Sequence, residues 1–222
     1  MLDSLGAFYS DKYFVDHHAF EIGLAKEQEI SIVFYIDGIP NMILGTVESI
    51  TPFRVATKDL SASKFANQRR AVILRWDEDV LRKIETSVVS SHWLGNCWTL
   101  ELEYLTTDET DRRRYPRYPM RLPVTVRTVK DSHQGTISVD CEGYTEDLSL
   151  GGASIKVLGD IETQSLVEIH THITDFDTIR TLAVVARSSN SGESNENGIG
   201  VQFVDFIGGG RYHLFSFLSR VA

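Results

Sequence analysis

Between residues 122 and 206 the chain repeats one device. Short runs rich in Val, Ile, Thr and Phe are each closed by Gly, Asn, Asp or Ser. Six such runs stand out, at 122–129, 136–141, 153–157, 166–173, 178–187 and 199–206. None is long enough to be a typical helix, and β-branched and aromatic side chains favour a half-buried pleated surface. Six short strands joined by turns predict a small antiparallel barrel, which closes its own edges. The polar stretch 188–197 reads as a loop between the last two strands. After Gly208-Gly209-Gly210, the residues Leu214, Phe215, Leu218 and Val221 recur with helical spacing. They predict a C-terminal helix over 211–221 that packs one apolar face on the barrel.

The first half is also strand-rich. Runs at 30–36, 42–47, 71–76 and 98–104 predict strands, and the last alternates apolar with polar residues. A helix is expected over 60–68. Trp76, Trp93 and Trp98 are expected to fill this half's core. Residues 105–112 are polar and mark a boundary, giving domains 1–107 and 108–222. The fold class is therefore mainly β: an N-terminal β-rich, barrel-like domain and a C-terminal six-stranded antiparallel barrel with a helix.

Charge separates the halves. Net charge is −9 overall, but residues 1–111 carry 10 basic and 18 acidic residues, against 12 and 13 in 112–222. Six of those 12 are arginines at 112, 113, 114, 117, 121 and 127. A nucleic-acid surface is more often basic overall and mixes lysine with arginine. A short arginine-only cluster on an acidic chain suits a small, multiply charged ligand, because the guanidinium fork matches phosphate and a guanine edge. The second cluster is Asp147-Leu148-Ser149-Leu150-Gly151-Gly152. Each part alone is an ordinary turn signal. Together, Arg113-x-x-x-Arg117, intervening strands, then Asp147-x-Ser149-x-x-Gly152 entering a strand make a more specific pattern. A carboxylate accepts from guanine N–H groups, and glycine admits close approach to the backbone. Arg117 and Arg121 offer a second register of the same spacing.

On these residues, 112–222 resembles the PilZ domain, a bacterial receptor module for the second messenger cyclic di-GMP. Gly200-Val201-Gln202-Phe203 resembles that family's last strand. The layout of the acidic first half resembles the N-terminal domain of flagellar-brake-type PilZ proteins. The resemblance implies that Arg113 and Arg117 clamp phosphates and guanine edges, with Arg112 and Arg114 as helpers. It implies that Asp147 accepts from guanine, that Ser149 bonds the ligand, and that Gly151 and Gly152 keep the strand entry open. It also implies signal transduction in the cytoplasm with no enzymatic activity, no cofactor and no metal. The signal would pass to an unidentified protein partner in motility, surface polysaccharide or cell-shape control, with a homodimer left open. Because the arginines end the linker, segment 105–117 is expected to close on the ligand and rotate the domains. The alternative is a PilZ-like adaptor that binds protein and no nucleotide.

Other signals are weaker. Asp16-His17-His18 suggests a metal phosphoesterase, but the supporting aspartate motifs are missing. His170 and His172 make at most half a metal site. Cys97 and Cys141 share no metal-like spacing and read as reduced thiols. No apolar run reaches the ~18 residues of a membrane span, and the N-terminus lacks a signal-peptide profile.

Overall fold

The computed structural model describes residues 23–36, 38–60, 62–63, 70–77, 80–108, 115–129, 140–174, 177–190 and 196–221. The chain divides into two compact units, Met1–Ile36 with Met42–Glu109, and Asp37–Asn41 with Thr110–Ala222.

The first unit is a closed barrel of six strands: β1 Glu29–Ile36, β2 Ile39–Ile50, β3 Phe53–Thr57, β4 Ala71–Asp77, β5 Val80–Leu94 and β6 Cys97–Asp108. Their order around the barrel is β1-β2-β3-β6-β5-β4. Alternation along β1 sends Ile30, Ile32 and Phe34 inward, where they meet Ile43, Val55, Ile73, Ile84 and Leu100. β3 and β5 were not expected. β5 carries Ser87, Ser90 and Ser91 between its apolar residues, so it shows no continuous run. Its pairing with β6 nonetheless runs to the hairpin tip, where Trp93 faces Trp98 across the Gly95-Asn96 turn. That position corrects the expectation for the tryptophans. Trp93 is 48% exposed and lies edge-on to Trp98, ring centroids 5.6 Å apart. Trp98 is half-buried against the core and Trp76 is half-buried. In the expected helix 60–68, Ala62 N–H donates to the Asp59 carbonyl in a single turn, and residues 61 and 64–69 lie outside the described residues.

The second unit contains β7 Tyr118–Pro119, β8 Pro123–Thr128, β9 Asp140–Leu148, β10 Gly152–Leu158, β11 Leu166–Thr174, β12 Asp177–Asn190, β13 Glu196–Ile207 and helix α1 Gly210–Val221. The order β10-β13-β12-β11-β8-β9-β7, with β9 also pairing β10, closes a six-stranded antiparallel barrel from β8 to β13. β7 lies on β9 beside β8. Its core is Val124, Val126, Leu148, Ile155, Ile169, Val185, Val201 and their neighbours, the inward members of each alternating strand. The expected strand at 136–141 is β9 from residue 140 onward, and 136–139 lie outside the described residues. The expected loop 188–197 is shorter, because Ser188, Ser189 and Asn190 pair with Ile199, Gly198 and Asn197. Backbone pairing overrides the polar character of Ser188 and Ser189, which are exposed.

Positive φ at Gly208 and Gly209, +65° and +79°, turns the chain from β13 into α1. The helix buries Leu214 and Leu218, four residues apart on one stripe. Phe217 is partly buried against the same core. Phe215 is 55% exposed and Val221 is exposed. Successive helical residues are about 100° apart, so a helix seated on Leu214 turns Phe215 away from the barrel.

Candidate functional site

The strands explain how two sequence clusters 30 residues apart meet. β7 pairs with the end of β9 in the register Tyr118–Leu148 and Pro119–Asp147. Arg117, immediately before β7, is thereby delivered to Asp147. Its Nη1 lies 3.4 Å from both Asp147 carboxylate oxygens. The pair is on the surface, with side chains 47% and 28% exposed. Nε and Nη2 of Arg117 have no partner among the described residues, so most of the fork is unspent.

A bulge aims Asp147 outward. Pairing between β9 and β10 passes from Asp147–Ser154 to Thr145–Ile155, leaving Glu146 as the extra residue. Thr145 and Leu148 are buried. Strict alternation from Thr145 would bury residue 147 as well; the bulge turns it out. Oδ1 of Asp147 accepts from the Ser154 backbone N–H at 3.1 Å, and Ser154 Oγ donates to Glu146.

Ser149 is held within its own turn. It is buried, and its hydroxyl donates to the Gly152 carbonyl at 2.9 Å while accepting from the N–H groups of Gly151 and Gly152. Ser149 N–H donates to the same Gly152 carbonyl. The side chain therefore knots the turn between β9 and β10. Gly152 answers to a strand: a Cβ at this position would stand 2.2 Å from the Val201 carbonyl oxygen of β13. At Gly151 a Cβ would meet the Tyr115 ring at 3.0 Å.

Tyr115 was missed by sequence reasoning. Its hydroxyl accepts from Arg211 Nη2 of α1 at 3.1 Å, while its ring covers Gly151. The signal was present, a lone aromatic inside Arg113-Arg114-Tyr115-Pro116-Arg117. Arg112, Arg113 and Arg114 lie outside the described residues.

The remaining arginines of the cluster are engaged elsewhere. Arg121 stacks over the Tyr144 ring, 3.8 Å from its centroid, and Tyr144 in turn donates to Glu196. Arg127 forms a fork with Asp140, two bonds of 2.8 Å. The hydrogen bond from Arg127 holds the Asp140 carboxyl below the usual carboxylate range. Among the six, Arg117 is the one beside Asp147 in the described part; it is common to the 113/117 and 117/121 registers, and Arg121 is engaged with Tyr144. His170 contacts Glu168, which also takes Arg180. His172 contacts Thr125 and Thr178. Among the described residues no group of three metal-ligating side chains is present. Asp16, His17 and His18 lie outside them, and both cysteines are free thiols. No described helix is long and apolar enough to cross a membrane.

The resulting surface offers a guanidinium with open donors, a carboxylate and a small-residue turn on one strip. Such a strip can bind a ligand that carries both anionic groups and N–H donors.

Several solved structures are similar to this chain. The inhibitor of motility MotI/DgrA of Bacillus subtilis is 13% identical, with 89% of this chain and 97% of that chain covered and a TM-score of 0.39. YcgR of Escherichia coli, solved in complex with c-di-GMP, is 14% identical, with coverage of 93% and 88% and a TM-score of 0.39. MrkH of K. pneumonia, also in a c-di-GMP complex, is 14% identical, with coverage of 96% and 94% and a TM-score of 0.38. No curated protein matches the sequence. The PilZ domain profile matches residues 111–219, which begin in the arginine cluster and end in α1, and this half of the chain belongs to the PilZ domain family.

Proposed function

We propose that this chain is a cyclic di-GMP receptor, with residues 1–107 as an N-terminal domain and 108–222 as the PilZ domain. It binds the dinucleotide through Arg113 and Arg117, helped by Arg112 and Arg114, and through Asp147 and the turn carrying Ser149, Gly151 and Gly152. It is an effector and not an enzyme. The observation that carries this reading is Arg117, exposed, beside Asp147, partly exposed, next to the Ser149–Gly152 turn. The carboxylate suits guanine N–H donors, and the guanidinium suits phosphate oxygens and the guanine O6/N7 edge. Ser149 and Gly152 contribute by holding the turn rather than by touching the ligand.

Charge-assisted bonds are worth roughly 1.5–3 kcal/mol each. Three or four together supply roughly 5–12 kcal/mol, the scale of the about −8 kcal/mol of a micromolar dissociation constant. Binding then changes the arrangement of the domains and presents a surface to a protein partner.

Calorimetric titration with cyclic di-GMP is the test. Wild type should bind at micromolar concentration, and Arg113→Ala and Arg117→Ala should each weaken binding at least about tenfold. No heat with wild type would leave the protein-only adaptor. Undiminished affinity in both variants would remove the site.

A further inference from the structure

A second bulge matches the one at Glu146. Between β12 and β13 the pairing passes from Val185–Val201 to Arg187–Gly200, leaving Ala186 as the extra residue. Val185 lies in the core, and uninterrupted alternation would send residue 187 inward too. The bulge turns Arg187 out. Directly paired residues share a face of the sheet. The pairs Asp147–Ser154, Ser154–Gly200 and Gly200–Arg187 therefore form one outward row across β9, β10, β13 and β12. Neighbouring strands are about 4.8 Å apart, so the row spans roughly 14 Å.

The Arg187 side chain lies along this row. A Cβ on Gly200 would fall 2.5 Å from its Nε, 2.7 Å from Cγ and 3.1 Å from Cδ, so the chain reaches from β12 across the bare glycine of β13. Arg187 is exposed, with no hydrogen bond or ion pair among the described residues. An exposed arginine on a strand is ordinary. An arginine turned out by a bulge, laid over a glycine and aligned with Asp147 is not.

We infer that Arg187 is a third cationic contact of the same site, and that its guanidinium plane supports a purine base of the ligand's second half. This rests on the reading that the barrel binds cyclic di-GMP. Arg117 and Asp147 hold one end of the row and Arg187 the other. A planar guanidinium stacks on a purine face as an ammonium does not.

Cyclic di-GMP is titrated into wild type, Arg187→Ala, Arg187→Lys, Gly200→Ala and Arg117→Ala, with thermal unfolding recorded for each. Arg187→Ala should bind about tenfold more weakly at an unchanged unfolding midpoint. Arg187→Lys should not restore affinity. Gly200→Ala should weaken binding similarly, because the three atoms nearest its methyl group all belong to the Arg187 side chain, which it displaces. Wild-type affinity in Arg187→Ala, alongside loss in Arg117→Ala, overturns the assignment of Arg187 and leaves the receptor reading intact. Restoration by lysine overturns the stacking role. Failure of wild type to bind overturns the receptor reading, and the third contact falls with it.

Discussion

The Ser149 hydroxyl engages one carbonyl and two amides inside its own turn, so replacing it is a stability experiment before it is a binding experiment. Ser149→Ala leaves those groups short of a partner in a buried place, at about 1–3 kcal/mol. Arg117→Ala removes one half of a surface ion pair worth at most about 1 kcal/mol. Urea unfolding should therefore show a clear fall in midpoint for Ser149→Ala and nearly none for Arg117→Ala; the reverse order would contradict a structural serine and a ligand-facing arginine. Tyr104 makes a separate case in the first barrel. Its ring stacks on Phe53 at 4.8 Å, and its hydroxyl has no hydrogen-bond partner among the described residues. Burial pushes its phenol up to about 12 from the usual 10. The folded state thus favours the neutral phenol. That contribution is complete below pH 10, where unfolded tyrosine begins to ionise, and is lost as pH rises to about 12. Ultraviolet titration should show a tyrosine ionising near pH 12 that Tyr104→Phe removes, while Tyr144, whose hydroxyl donates to Glu196, stays above the usual range in both proteins. The same variant should be at least as stable as wild type at neutral pH, since it deletes a buried hydroxyl without a partner.

At the scale of elements, Gly152 decides whether β10 can lie against β13. With the Val201 carbonyl oxygen 2.2 Å from where a Cβ would stand, Gly152→Ala must push the strands apart. A loss of about 1–3 kcal/mol or more is expected, read as a fall in the unfolding midpoint; an unchanged midpoint would show that the strand entry tolerates a side chain. Binding defects of that variant would therefore reflect a shifted strand as much as a blocked ligand. Strands announced by apolar alternation, such as 166–173 and 199–206, were legible in the sequence because one barrel face must be buried. β5 was not, because its serines interrupt the run and only its long pairing with β6 reveals it. The two motifs were legible as a pair, yet their meeting depends on the register of β7 on β9 and on the bulge at Glu146. Neither has a signature in residue type. Glu146 and Ala186 look like any strand residue, and only the count of residues on the opposing strand makes them extra. The bonds Ser149 makes within its own turn were not legible for a related reason. A hydroxyl in a turn can serve a ligand or its own backbone, and the sequence does not show which donors lie within reach.

At the scale of the molecule, one half of the chain carries nearly all of the net charge. Residues 1–111 hold an excess of eight acidic residues, and 112–222 an excess of one. On the proposed reading, a dianionic ligand approaches a negative molecule and depends on the arginine cluster for local attraction. If ligand binding rearranges the domains, the available free energy has a ceiling. At one hundred times the dissociation constant, binding supplies about 2.7 kcal/mol, and only the difference in affinity between two arrangements does work on them. That ceiling corresponds to about a hundredfold shift in a two-state equilibrium, enough to turn a minor arrangement into the major one. Small-angle scattering from the full chain should change on addition of cyclic di-GMP. The change should saturate over the same concentrations as the calorimetric heat and be absent in Arg117→Ala at matched ligand. A wild-type profile that stays constant while heat is released would keep the receptor and discard the rearrangement, leaving the ligand to act on partners by altering the barrel surface alone.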